Sequence, residues 1–209
     1  MNSLNQERKT DLLPILAVIA VVLVAASIFA VRYESRLFGR RYESEEDYVY
    51  RAAKEHVIYD LHNVTARINL GYLLYLRGEY LDAMRELERA VELDPESEAG
   101  FYNLGLVYTA LEQYQVAEEC LLKSFDLSRH PDVVFFALGD LYLRQKQYGK
   151  AIDYYEEALV WLPNNPEVFM KLGETYEEWG KVQQAAQSYS RAGDFAPELE
   201  EVIKKNYFD

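Results

Sequence analysis

The sequence predicts an all-α fold: an αα-superhelix of four helix-turn-helix repeats with flanking capping helices, behind one N-terminal transmembrane helix. Three observations carry that expectation. Gly71, Gly105, Gly139 and Gly173 stand 34 residues apart, each preceded by a leucine (Leu70, Leu104, Leu138, Leu172). Small residues recur in the same register, first Ala83, Ala117, Ala151 and Ala185, then Ala90, Ser124, Ala158 and Ala192. Residues 12–31 form an uncharged apolar run of 20 residues. A fixed period of this length marks stacked helical hairpins. Two helices approach closely only where small side chains sit at the crossing and large ones fill the holes between them.

Taken in order, residues 1–11 are a polar tail and residues 12–31 a membrane span. At about 1.5 Å per residue such a run reaches about 30 Å, the thickness of a bilayer's hydrocarbon core. Pro14 falls in its first turn, where a missing N–H costs little. A cleavable signal peptide is the rival reading, with Arg8 and Lys9 as its basic start and Val24-Ala25-Ala26 as its cleavage site. The apolar run continues past that site to Val31, which favours a retained anchor. Residues 32–43 form a basic juxtamembrane linker with Arg32, Arg36, Arg40 and Arg41 against Glu34 and Glu43. Residues 32–51 carry five arginines, so the positive-inside rule leans the repeats of this single-pass membrane protein toward the cytoplasm, an extracytoplasmic side staying open.

Ser44 followed by Glu45, Glu46 and Asp47 reads as a capped helix start. That helix, residues 44–62, is expected to cap the array and shows Tyr48, Val49, Ala52, Ala53, Val57 and Leu61 on one side. Repeats then occupy residues 64–97, 98–131, 132–165 and 166–199, and residues 200–209, with Val202, Ile203, Tyr207 and Phe208, form a C-terminal capping helix. The fourth position of each repeat holds Phe101, Phe135 and Phe169, with Arg67 in the first. The eleventh holds Leu74, Tyr108, Tyr142 and Tyr176; the twenty-fourth holds Leu87, Leu121, Tyr155 and Tyr189. Gly78 and Gly180 take the fifteenth position, where a helix ends and the chain reverses, with Glu112 and Lys146 there in the other two.

On these residues the chain resembles the tetratricopeptide repeat family, whose proline at position 32 recurs as Pro95, Pro163 and Pro197. Repeat two departs, with Arg129 there and Pro131 two residues on. The resemblance implies an interaction protein: a membrane-anchored adaptor or assembly factor that docks a partner segment in a concave groove lined by the first helix of each repeat. Carrying the family's groove positions onto this chain gives Tyr72, Tyr75, Tyr102, Asn103, Leu106, Phe136 and Asp140 as candidate contacts. The groove so drawn is apolar and aromatic through three repeats and acidic in the fourth, at Glu167, Glu174, Glu177 and Glu178, which suits a protein or peptide partner with a basic flank. The clamp by which some members hold acidic chaperone tails is not met. Asn103 matches it, but Tyr72 stands where an asparagine is needed, and Val133 and Ala137 stand where a lysine and an arginine belong. A self-associating scaffold, or a chaperone-like subunit of a secretion or cytochrome maturation apparatus, are the alternatives; the chain's own 44–62 helix or a second copy would then be among the possible occupants of the groove.

Charge and chemistry narrow the rest. The net charge is −13, and residues 64–209 hold 14 Lys and Arg against 26 Asp and Glu, the wrong sign for a nucleic-acid partner. His56, His62 and His130 are scattered away from other ligands, so no metal site, no cofactor and no catalytic residue is expected. Cys120 is the single cysteine and reads as a small core residue.

Overall fold

The computed structural model describes residues 44–128 and 131–196. The chain divides into two compact units, Met1–Arg51 and Ala52–Asp209. The expected tail, apolar run and linker of residues 1–43, and the capping helix of residues 200–209, lie outside the described residues. In the first unit the described part is the start of α1 (Glu45–Tyr59). Ser44 caps it: its Oγ accepts the Asp47 N–H at 3.1 Å and donates to the Asp47 carboxylate at 2.9 Å.

The expectation of a single-pass membrane protein is corrected here. Among the described residues no helix is long and apolar enough to cross a membrane. The longest, α1, has 15 residues and three acids in its first turn; it spans about 22 Å, where a bilayer core needs about 30 Å.

In the second unit, Val57 of α1 is buried, while Ile58, Tyr59 and Leu61 are exposed. Eight helices follow in pairs: α2 (Val64–Leu76) with α3 (Tyr80–Leu93), α4 (Glu98–Ala110) with α5 (Tyr114–Leu127), α6 (Asp132–Arg144) with α7 (Tyr148–Trp161), and α8 (Pro166–Glu178) with α9 (Val182–Phe195). No strand occurs among the described residues. Polar side chains start three of the first helices: Asn63 accepts from Ala66 N–H, Ser97 from Gly100 N–H, and Asn165 from Glu167 and Val168 N–H. Such caps satisfy donors that the helix itself leaves open. Before α6 stands Pro131, which makes no side-chain cap.

Each first helix ends on a left-handed residue: Gly78 (φ 76°), Glu112 (φ 60°), Lys146 (φ 58°) and Gly180 (φ 78°). The next N–H then reaches back five residues, from Gln113 to the Tyr108 carbonyl and from Gln147 to the Tyr142 carbonyl, both at 2.9 Å. Glu112 and Lys146 therefore adopt a shape that costs a side-chain-bearing residue about 1–2 kcal/mol.

Within every pair the helices cross at the repeated glycine. A Cβ at Gly71 would lie 2.5 Å from Leu87 Cγ, one at Gly105 2.7 Å from Leu121, and one at Gly139 2.5 Å from the Tyr155 ring; Gly173 is closed in the same way by Tyr189. The eighth and twenty-fourth positions are thus a single contact. Adjacent pairs are tied by phenols at the eleventh position. The Tyr108 hydroxyl donates to Glu88 at 2.7 Å and the Tyr142 hydroxyl to Glu118 at 2.5 Å, each acid belonging to the preceding repeat. Burial, then the hydrogen bond to its acid, raises both phenols well above the usual range.

Arg67, in place of an aromatic, is buried. Its guanidinium donates to the Leu61 carbonyl at 3.0 and 2.8 Å and to Glu86 at 2.5 Å, fastening the entry loop to α3. Ser124 is fully buried, and its hydroxyl has no hydrogen-bond partner; the other three repeats carry alanine there.

Three stability outcomes are expected. Gly139→Ala forces the Tyr155 ring aside and lowers unfolding free energy by about 2 kcal/mol, whereas Gly149→Ala, where nothing lies within 4 Å of the added carbon, raises it by about 0.5 kcal/mol. Equal effects in urea melts would refute the crossing contact. Ser124→Ala removes an unsatisfied buried hydroxyl and stabilises by about 1 kcal/mol in the same measurement.

Candidate protein-docking groove

The first helices stand side by side, α2 against α4 and α4 against α6. They hold the candidate residues in one row. Tyr72 is exposed and Tyr75 half-buried one turn on, their rings stacked at 6.5 Å. Tyr80, at the start of α3, approaches the Tyr75 ring to 5.8 Å. On α4, Tyr102 is half-buried, and Leu106 follows it by one helical turn on the same face. The Asn103 amide turns back and donates to the Ala99 carbonyl at 2.8 Å.

Electrostatics show which of these groups influence one another. The Tyr102 phenol is pushed up to about 12, first by burial and then by Asp140, Tyr75, Tyr72 and Glu167. Those neighbours belong to α6, α2 and α8. Burial also raises Tyr75; Arg144 opposes the shift, and Tyr80, Asp140 and Tyr72 add to it. Tyr72, Tyr75 and Asp140 thus lie close enough to act on the Tyr102 phenol. Phe136 joins through Tyr155, whose ring it meets edge-on at 5.7 Å.

Asp140 is held from behind. The Tyr155 hydroxyl donates to its Oδ1 at 2.6 Å, and Lys171 Nζ lies 3.8 Å from the same oxygen and 3.0 Å from Glu174. Burial works against the Lys171 charge, but Asp140 and Glu174 outweigh it and hold the ammonium above its usual range. The tyrosine contacts were the part that sequence spacing missed. Tyr155 and Tyr189 lie on second helices, yet each slides past a glycine to an acid of its own first helix, Tyr189 to Glu177 at 2.7 Å. The available signal was the change from leucine to tyrosine at the twenty-fourth position.

The fourth-repeat end is less acidic than the spacing suggests. A pocket of about 380 Å³ there is lined by Asp140, Glu174 and Glu178 and equally by Arg144, Lys146 and Lys171. Among the described residues no three His, Cys, Asp or Glu side chains gather where they could hold a metal ion. The Cys120 thiol is pushed up to about 11 by burial, then by Glu119 and Glu88, so it stays protonated at neutral pH.

A pH consequence follows for Tyr102. Its folded value lies above the unfolded one, so its neutral form contributes stability that is complete below pH 10 and is lost as pH rises from about 10 toward about 12. Tyr102→Phe should flatten the fall of the urea midpoint across that window, by at most about 1.4 kcal/mol per pH unit. An unchanged slope would place the phenol in water.

Comparison with known proteins agrees with this architecture. A family model described as tetratricopeptide repeat matches residues 97–159, and a second, described as TPR repeat, matches residues 71–112 and 139–180. No curated protein matches the chain significantly in sequence. Among solved structures, the chain is similar to a crystal structure of MamA, at 24% identity and a TM-score of 0.62 over 80% of this chain and 95% of that one. It is similar to TTC0263, a thermophilic TPR protein of Thermus thermophilus, at 18% identity and a TM-score of 0.69 over 85% and 94%. It is also similar to YrrB, a TPR protein with an unusual peptide-binding site, at 21% identity and a TM-score of 0.55 over 74% and 82%. At these identities the likeness is one of fold.

Proposed function

The matches support the tetratricopeptide repeat family for this chain, and on that premise we propose that it is a protein-interaction scaffold whose groove docks a segment of another protein. Tyr72, Tyr75, Tyr102, Asn103, Leu106, Phe136 and Asp140 are the proposed contacts. The observation that carries this reading is the aromatic surface of neighbouring first helices, with Tyr72 and Tyr75 stacked at 6.5 Å on α2 and Tyr102 of α4 sharing a pocket with Phe136 of α6. Tyrosine gives a large rigid contact area with a polar tip, which is why it concentrates at binding surfaces. The peptide-binding site named for YrrB is consistent with such use of the fold. Docking needs no catalytic group.

A basic flank on the partner finds little support at the fourth-repeat end, where Lys171 pairs with Glu174 and Arg144 and Lys146 line the same pocket as the acids. Lys171 in particular is committed to Glu174 and Asp140.

A photo-crosslinking amino acid placed at Tyr72 or Leu106 in the producing cell tests the reading. Adducts with another protein are expected from both positions and not from Gln183, an exposed residue of α9. Tyr102→Ala should weaken that partner's binding by about 30-fold, the size of a central aromatic contact. Adducts of the chain with itself alone, together with sedimentation of an oligomer that Tyr102→Ala dissolves, would replace the adaptor by a self-associating scaffold.

A further inference from the structure

One pocket opens off the groove at its edge and differs from the rest in charge. It has a volume of about 220 Å³ and lies where α6 and α8 begin and α7 ends. Its walls are Tyr102, Phe136, Val133, Leu162 and Val168. Val133 and Leu162 are 46% and 43% exposed, so apolar surface here faces solvent. Tyr102 and Phe136 also belong to the docking groove, so the pocket continues that surface.

Two carboxylates, Asp132 and Glu167, line the same pocket. Each sits in the first turn of its helix. Neither has an ion-pair partner among the described residues. Three other groove acids differ: Asp140, Glu174 and Glu177 are engaged by Tyr155, Lys171 and Tyr189, while Glu178 lines a separate pocket with Arg144, Lys146 and Lys171. An apolar hollow with two carboxylates at its lip that make no ion pair, Glu167 feeling the Lys171 charge only at longer range, calls for a ligand that brings both an apolar group and a cation.

Resting on the docking reading above, we propose that this pocket is the anchor site for a partner peptide, taking one leucine- or phenylalanine-sized side chain whose neighbouring lysine or arginine pairs with Asp132 and Glu167. The volume admits one such side chain, and an extended or helical segment leaving the pocket runs onto Tyr102 and the groove. Burying the anchor supplies affinity, and the charge pair supplies register and specificity.

The test is to pan a random 12-residue peptide display library against the full chain and read the positional preferences. Enriched peptides should share an apolar residue within two positions of a lysine or arginine. Asp132→Asn with Glu167→Gln should weaken a synthetic version of the top peptide about tenfold, more at low than at high salt. Asp132→Lys with Glu167→Lys should switch enrichment to acidic neighbours, a gain that misfolding cannot produce. Enriched peptides that lose binding with Tyr72→Ala, yet show no basic preference and ignore both double variants, overturn the pocket and leave the groove standing. Absence of any enriched peptide sensitive to a groove substitution overturns both readings.

Discussion

Everything in the repeat array depends on one steric constraint, the contact between the glycine of each first helix and the twenty-fourth residue of the same repeat. With no Cβ at Gly71, Gly105, Gly139 or Gly173, the side chain from the second helix lies directly on the backbone of the first. Leu87, Leu121 and Tyr155 are sealed completely by that approach, and Tyr189 nearly so. Close packing of this kind gains dispersion and excludes water from the crossing, and it fixes the rotation of each helix about its axis. That rotation decides which residues face the groove.

The same constraint has a chemical result in repeats three and four. A tyrosine laid across a glycine is long enough to present its hydroxyl beyond the crossing, where leucine stops short. Asp140 and Glu177 are thereby hydrogen-bonded from behind by Tyr155 and Tyr189. A carboxylate so held is fixed in position and less available to a ligand as a bare charge. Core packing thus sets the electrostatic character of the surface, and it leaves Asp132 and Glu167 among the acids that no second-helix phenol holds.

Stacking between repeats uses a second device. Tyr108 and Tyr142 reach acids of the preceding repeat, so the first two interfaces are each closed by a charge-assisted hydrogen bond. Directional bonds of this kind add modest stability and much register. At the entry Arg67 does comparable work with polar atoms: its bonds to the Leu61 carbonyl and Glu86 satisfy a guanidinium that would otherwise be costly to bury.

The linear chain by itself determined the helical hairpins, their phase and the face each first helix presents. Those follow from local rules: caps such as Asn63 and Ser97, left-handed turns at the fifteenth position, and small residues every 34. The placement of Tyr72, Tyr75, Tyr102 and Asp140 on first helices was legible for the same reason, since a fixed period maps directly onto a fixed element. The tertiary structure alone decided the state of the groove's charges. Tyr155 and Asp140 are 15 residues apart, Tyr142 and Glu118 are 24 apart, and Lys171 meets an acid of the preceding repeat. Such pairings depend on crossing geometry and side-chain reach between separate helices, which periodicity within one helix does not encode.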